Sequence, residues 1–367
     1  MNKLTFRYFL ITLLTITLFI LFNCRRPLQQ YGIDDFLKVA KIDAHVHINN
    51  EHPAFIEQAQ QDNFRLLTIN VDYPDFQPIA EQQQIAVMLS QKYPQVVAFV
   101  STFSMNNWDD PSWVESTIAQ IDQAAKQGAV GVKVWKNIGM DFRDKNGDLV
   151  MIDHPKFDPI FNYLADKKIP VIGHQGEPKN CWLPIEEMTV KNDQHYFKNH
   201  PQYHMYLHPE MPSYEEQMAA RDRMLEKNKE LVFMGAHLAS LEWSVDELAT
   251  FLDRFPKAVV DMAARMGQVQ YQSSQDREKV RQFFIKYQNR VLYATDITFE
   301  PTAHPDTFRT ELHERWLLDW KYLVTSDTLK VPELDNSFIG LALPAKVIDK
   351  IYYKNARKTF STAWRKE

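Results

Sequence analysis

From residue 41 onward, short runs rich in β-branched and aliphatic residues alternate with longer stretches of helical periodicity. The runs are KIDAHVHI (41–48), RLLTINVDY (65–73), VVAFVSTF (96–103), AVGVKVWK (129–136), PVIGHQ (170–175), LVFMGAHLA (231–239), AVVDMAA (258–264) and VLYATDIT (291–298). They predict eight strands. Helix start signals stand between them. Asp110-Pro111 fits an N-cap followed by proline, and Ser213 with Glu216 and Ser244 with Glu247 fit capping boxes. Strands separated by helices pair in parallel, and eight such units over about 270 residues predict a closed (β/α)8 TIM barrel. An open doubly wound sheet would carry a Gly-rich phosphate turn after its first strand. His45-Val46-His47 stands there instead.

Two segments exceed the minimal barrel. Residues 176–212 form a long connection after the fifth strand, and their aromatics and prolines predict an ordered lid. Residues from about 303 to 340 predict a helical C-terminal elaboration. The N-terminus follows a different pattern. Lys3 and Arg7 precede LITLLTITLFILF, residues 10–22, which is wholly uncharged. An apolar run of about 13 residues suits a signal peptide and falls short of the roughly 20 that span a membrane. Cys24 follows, with Leu21 three positions before it, and this resembles a bacterial lipoprotein lipobox in which Cys24 is lipidated. Cleaved secretion, or an uncleaved anchor flanked by Arg25 and Arg26, are the alternatives. The expected division is a signal peptide at 1–23, a lipoprotein-type linker at 24–40 and one barrel at 41–367. All three readings place the globular part on the exported, periplasmic or cell-envelope side, and both anchor readings tie it to a membrane.

Composition narrows the function only by exclusion. The net charge is −5 over 367 residues, with no Lys/Arg run of the kind that binds nucleic acid. The two cysteines, Cys24 and Cys181, rule out a disulfide framework if Cys24 is lipidated. Function must come from local motifs; the expected partner is a small-molecule substrate and not nucleic acid, with a homodimer left open.

The chemistry resides in histidines and carboxylates. In a regular strand His45 and His47 share a face, as does Asp43 two residues earlier, and in a barrel that face is inward. Alone, the pair reads more readily as hydrogen-bonded core histidines than as metal ligands. His174, His237 and Asp296 alter this, because each ends an otherwise apolar run. Buried polar groups need partners, and one metal ion supplies a shared partner for all five. Weaker candidates for substrate contact are Glu177 beside His174, Trp182 on the lid, Arg265 as a clamp for a carboxylate, and Glu300 past Asp296. His195, His200 and His204 read as lid surface, and His208 lies nearest the pocket end of the lid.

HxH on the first strand, histidines on the fifth and sixth and aspartate on the eighth resemble the amidohydrolase superfamily. The ending ALPAKVIDKIYYKNARKTF, residues 342–360, resembles the terminal helix of its amidohydrolase-related (amidohydrolase 2) branch, which includes aminocarboxymuconate-semialdehyde decarboxylase. The resemblance covers roughly residues 41–362. It implies that His45, His47, His174 and Asp296 bind one divalent ion, zinc ahead of manganese or iron. It implies that His237 binds a second metal, or activates water and polarises the substrate. It also implies that Lys133, in GVKVWK, can bridge two ions as a carboxylated lysine, whereas Lys136 lies on the opposite face. Asp296 and His237 are then the catalytic pair. The expected activity is hydrolysis of an amide, lactone or ester of a small organic substrate, sugar-derived ones included. Non-oxidative decarboxylation of an unsaturated or aromatic acid is the alternative, and a non-catalytic binding protein is the reading from another class.

Overall fold

The computed structural model describes residues 29–364. The expected signal segment and Cys24 lie outside these residues. Nine parallel strands form one sheet: β1 (Lys41–Ile48), β2 (Phe64–Ile69), β3 (Val97–Thr102), β4 (Val132–Val134), β5 (Val171–Gly173), β6 (Phe233–Gly235), β7 (Val259–Asp261), β8 (Val291–Leu292) and β9 (Thr298–Phe299). The order is β8-β7-β6-β5-β4-β3-β2-β1-β9. The sheet is curled, because β8 and β9 are the two ends of the single run predicted at 291–298. β8 pairs with β7, and β9 pairs with β1. Between them Ala44 N–H donates to Tyr293 O (3.0 Å), Asp296 N–H to His45 O (2.9 Å) and His47 N–H to Ile297 O (2.9 Å). This mixed α/β architecture is consistent with a TIM-barrel amidohydrolase fold.

Alternation along the strands sorts the core into two clusters. Ile42, Ala44, Val100, Ile172, Met234 and Leu292 fill the space enclosed by the sheet. Ala356, Phe360 and Trp364 join them from below. Trp364 Nε1 donates to Leu66 O (3.2 Å) and Val96 O (3.1 Å), so the C-terminal segment stoppers the end where the strands begin. A larger cluster lies between the outer sheet face and the helices. Burying a side chain the size of Phe360 stabilises by roughly 1.5–3 kcal/mol.

The strand interior departs from strict alternation at one point. β1 shifts register between Asp43 and Val46, which is a bulge. Ala44 lies in the enclosed cluster and Val46 in the outer one, while the His45 side chain meets groups inside. The expected shared face for Asp43 and His45 is therefore corrected. Asp43 points outward and accepts from Trp316 Nε1 (2.9 Å), Thr295 Oγ1 (2.7 Å) and Thr295 N–H (3.0 Å).

Helix starts follow the caps with one shift. Ser213 and Glu216 close a reciprocal capping box on helix Tyr214–Lys227. Ser244 accepts from Glu247 N–H (3.3 Å) at helix Val245–Arg254. At the Asp110-Pro111 signal the helix begins later, at Trp113, because Asp110 Oδ1 instead ties down the Ser112 N–H (2.7 Å) one residue before it. The connection after β5 is folded, with helix Lys191–Asn199, several short 3₁₀ turns and a core of Cys181, Met188, Phe197 and Met205. Past β9 come helix Pro305–Val324 and a two-stranded antiparallel pair, Thr328–Leu329 with Phe338–Ile339. No helix among the described residues is long and apolar enough to cross a membrane.

Candidate metal centre

His45 and His47 lie within β1, but three later strands stop before their candidate residues. β5 ends one residue before His174 and β6 ends two before His237, while Asp296 lies in the gap between β8 and β9. The sequence placed all three inside strands. For His237 and Asp296 the reason for the difference is backbone conformation. His237, Leu238, Ala239 and Ser240 all take positive φ (57°, 57°, 57° and 56°), as do Ala264 (53°) and Asp296 (67°). Left-handed conformations cost about 1–2 kcal/mol per residue without glycine. Specific bonds hold the turn after β6. His237 N–H donates to Asp261 Oδ1 (2.7 Å), Tyr214 OH to Ser240 O (2.6 Å) and Ser240 Oγ to Gln175 O (2.9 Å). Gly235 is required here, since a Cβ on it would lie 2.5 Å from the Ala239 Cβ.

His45, His47 and Asp296 converge. His45 Nε2 and His47 Nε2 each lie 3.3 Å from Asp296 Oδ1. The far nitrogens of both rings are occupied. His45 Nδ1 faces Asp261 Oδ2 (2.9 Å) and His47 Nδ1 faces Ile69 O (2.7 Å). Both partners only accept, so Nδ1 carries the proton and Nε2 presents a lone pair. Burial pushes the His45 pKa down, with Lys133 adding to the effect and Asp261 opposing it. Two lone pairs and a carboxylate oxygen thus face one another, a repulsive arrangement unless a cation lies among them. Tetrahedral ligands at zinc-type bond lengths of about 2.0–2.1 Å stand about 3.3–3.4 Å apart. The three residues fit a divalent ion, and their donor atoms all lie within 4.8 Å of one another.

His237 and His174 flank this trio. The His237 ring lies 5.1 Å from that of His45, and its Nδ1 lies 3.9 Å from Asp296 Oδ2. That nitrogen donates to Ala263 O (3.0 Å), and burial pushes the ring's pKa down to about 3. His237 Nε2 is consequently a hydrogen-bond acceptor with little affinity for a proton, suited to orienting a water or binding a metal rather than donating to a substrate oxygen. The His174 ring lies 4.1 Å from that of His237, outside the tight trio, and its buried Nε2 has no partner. Lys133 Nζ lies 3.4 Å from His45 Nε2. Burial lowers its pKa to about 8 against Asp261 and Asp296, and no described carboxylate is within salt-bridge distance.

The remaining candidates separate into two groups. Near the centre, Arg265 is 8% exposed, makes one weak bond to Ala264 O (3.2 Å), leaves Nε unpartnered and has no described carboxylate within 4 Å. Glu177 is buried and paired with Lys136. Glu300 lies beside Asn49 and His47; partial burial raises its pKa against the influence of both. The others serve the lid. Trp182 Nε1 donates to Pro212 O (3.2 Å), and the ring packs on Tyr214 at 5.6 Å. His204 bonds Leu183 O (2.7 Å) inside the lid, and His208 bonds Pro201 O (3.0 Å) and faces Glu210. His195 bonds Asn199, and His200 stacks on Tyr196 at 4.5 Å.

Asp261 was not singled out from the sequence. It is fully buried and accepts from three donors at once: His45 Nδ1–H, His237 N–H and Ala263 N–H (3.1 Å). It fixes one candidate ligand ring and the turn that carries His237. Its signal was present, since AVVDMAA ends an apolar run on a carboxylate just as VLYATD does.

Among curated proteins no significant match exists. Solved structures with similar folds include 2,6-dihydroxybenzoate decarboxylase from Rhizobium (12% identity, TM-score 0.50, covering 88% of this chain and 99% of that one). Others are amidohydrolase 2 from Bifidobacterium longum subsp. infantis (12%, 0.40, 88% and 99%) and 4-oxalomesaconate hydratase from Rhodopseudomonas palustris (12%, 0.43, 84% and 80%). At these identities the likeness concerns the fold and not the reaction. The amidohydrolase family model Amidohydro_2 matches residues 42–362, nearly the whole described chain. The chain belongs to the amidohydrolase family.

Proposed function

We propose that the protein is a metal-dependent hydrolase that directs an activated water onto an amide, lactone or ester of a small organic substrate. The observation that carries this reading is the convergence of two histidine lone pairs on Asp296 Oδ1 at 3.3 Å, with both far nitrogens already engaged. His45, His47 and Asp296 would hold the ion, with His174 and His237 beside them, and nitrogen-rich donors favour zinc. When bound, such an ion supplies a Lewis acid that lowers the pKa of water toward about 7. Asp296, whose side chain is 27% exposed, takes the proton of the attacking water and passes it to the leaving group. His237, neutral and with its Nε2 unprotonated, accepts a hydrogen bond from the attacking water and helps to orient it. Arg265 orients an anionic part of the substrate.

A second reading, non-oxidative decarboxylation, is favoured by one feature. Arg265 is a buried guanidinium with no described ion partner, and a substrate carboxylate would supply one. A panel of lactones, esters, N-acyl compounds and unsaturated acids in ¹⁸O-labelled water separates the two. Label in the product acid supports hydrolysis, release of carbon dioxide with no label in the organic product supports decarboxylation, and no metal-dependent turnover of any kind rejects both. The same proposal places the protein on the exported side of a membrane, tethered through Cys24. Its support is the sequence of residues 1–24.

A further inference from the structure

We infer that the end of the barrel opposite the metal centre is a docking face for an anionic phospholipid surface. This rests on the proposed tether. The final helical run, Ala345–Asp349, Lys350–Lys354 and Asn355–Thr359, lies across the strand starts: Asn355 Nδ2 donates to Val291 O (2.7 Å), and Trp364 bonds Leu66 in the first half of β2 and Val96 just ahead of β3. Its inner side buries Ile348, Ile351, Tyr352 and Ala356. Its outer side carries Lys346, Lys350, Lys354 and Lys358, one every four residues. Lys346, Lys354 and Lys358 are exposed, and the Lys350 pKa is pushed down by slight burial and by Lys346 and Lys354 beside it. Within this run the one acidic residue is Asp349, already paired with Lys354 (2.7 Å) and with the Tyr31 hydroxyl (2.8 Å). Lys167 and Lys168, just ahead of β5, border a groove of about 400 Å³ at the same end, shared with Ser361 and Thr362. In a chain of net charge −5 this is a local reversal of sign.

The exit of the chain selects the partner. Ala345 N–H donates to Gln29 O (2.8 Å), so residues 1–28, with their apolar run and Arg25-Arg26, join the described structure one residue from Lys346. The five peptide steps from Cys24 to Gln29 span at most about 18 Å. A tether this short lets a bilayer holding Cys24 approach to within one Debye length of the lysine row, about 8 Å at physiological salt, the range in which basic residues are drawn to anionic headgroups. Leu37, 58% exposed, and Lys38 sit at the same end, their carbonyls bonded by Asn63 next to β2. The consequence is an orientation: the metal centre opens away from the bilayer.

The test uses the full chain with vesicles of phosphatidylcholine alone or mixed with phosphatidylglycerol. Flotation reports attachment, and amine acylation read residue by residue by mass spectrometry reports docking. The expected result is several-fold slower acylation of Lys346, Lys350 and Lys354 on the anionic vesicles, with Lys145 and Lys198 near the metal-centre end unchanged. That protection should vanish in high salt while flotation persists, and in the K346E/K350E/K354E variant the remaining Lys358, slowed likewise in the natural chain, should be acylated as fast on anionic as on neutral vesicles. Flotation on anionic vesicles only, with the same protection, would uphold docking and reject the tether. Flotation on both vesicles with equal labelling of the two ends, or protection of Lys145 and Lys198 instead, would overturn the docking face. A chain that floats on neither would overturn both.

Discussion

At the scale of single residues, the centre depends on carboxylates of two kinds. Asp296 faces the lone pairs, and Asp261 stands behind them and fixes a ring. Outer partners of metal-binding histidines typically contribute 10–100-fold to metal affinity. Asp261→Asn should accordingly weaken zinc binding by about 10–100-fold in a chelator competition titration while the far-UV spectrum stays unchanged. Unaltered affinity would show that His45 is oriented without Asp261. Asp296→Asn, which removes a ligand and the proton acceptor, should lower turnover by at least about 10²–10⁴-fold in the active substrate assay. Glu242 makes a different prediction. It is buried, one oxygen accepts from Lys179 N–H (2.8 Å) and the other has no partner. Burial pushes its pKa from 4.5 up to about 7, against Arg265. The native state therefore keeps a proton that the unfolded chain loses between pH 4.5 and 7, so this group's contribution to stability falls as pH rises through that window. Glu242→Gln removes the dependence. Its melting temperature relative to the natural protein should rise from pH 5 to pH 8, and a constant difference would mean that Glu242 is ionised throughout.

At the scale of elements, the strand runs were legible and their ends were not. All eight apolar runs contain a strand, because β-branched alternation and burial act together over the run. The residues that matter lie where the pattern still looks extended but the chain has turned left-handed, after β6, after β7 and between β8 and β9. No local propensity announces such a turn in His-Leu-Ala-Ser. It is set by distant donors and acceptors such as Tyr214 and Asp261. The bulge in β1 was hidden for the same reason, and it reversed the reading of Asp43 while leaving His45 and His47 facing inward. The glycines before His174 and ahead of His237 were the available hint, since both occupy positions with no room for a side chain. Ala264, exposed and at φ 53°, tests whether this backbone is strained. Ala264→Gly should stabilise the protein by up to about 1 kcal/mol in thermal unfolding. Destabilisation by about that amount, as for glycine in a helix, would argue that the conformation carries no cost.

At the scale of the whole molecule, one end of the barrel collects the metal ligands and the other collects lysines and the chain's exit. The proposed tether predicts that Cys24→Ser releases the protein from membranes in fractionated cells. Retention would point to an uncleaved anchor instead. A divalent ion that binds the native state alone should also hold the fold together: at a free concentration 100 times its Kd it adds about 2.7 kcal/mol, so chelation should lower the melting temperature and zinc should restore it. The central claim is that His45, His47 and Asp296 form a metal site. Its most direct test is the metal content of the purified chain by elemental mass spectrometry, compared with the folded His45→Ala/His47→Ala variant. The account predicts stoichiometric divalent metal in the natural chain and loss of it in the variant. An equal metal content in both, or none in the natural chain after supply of zinc, would contradict it.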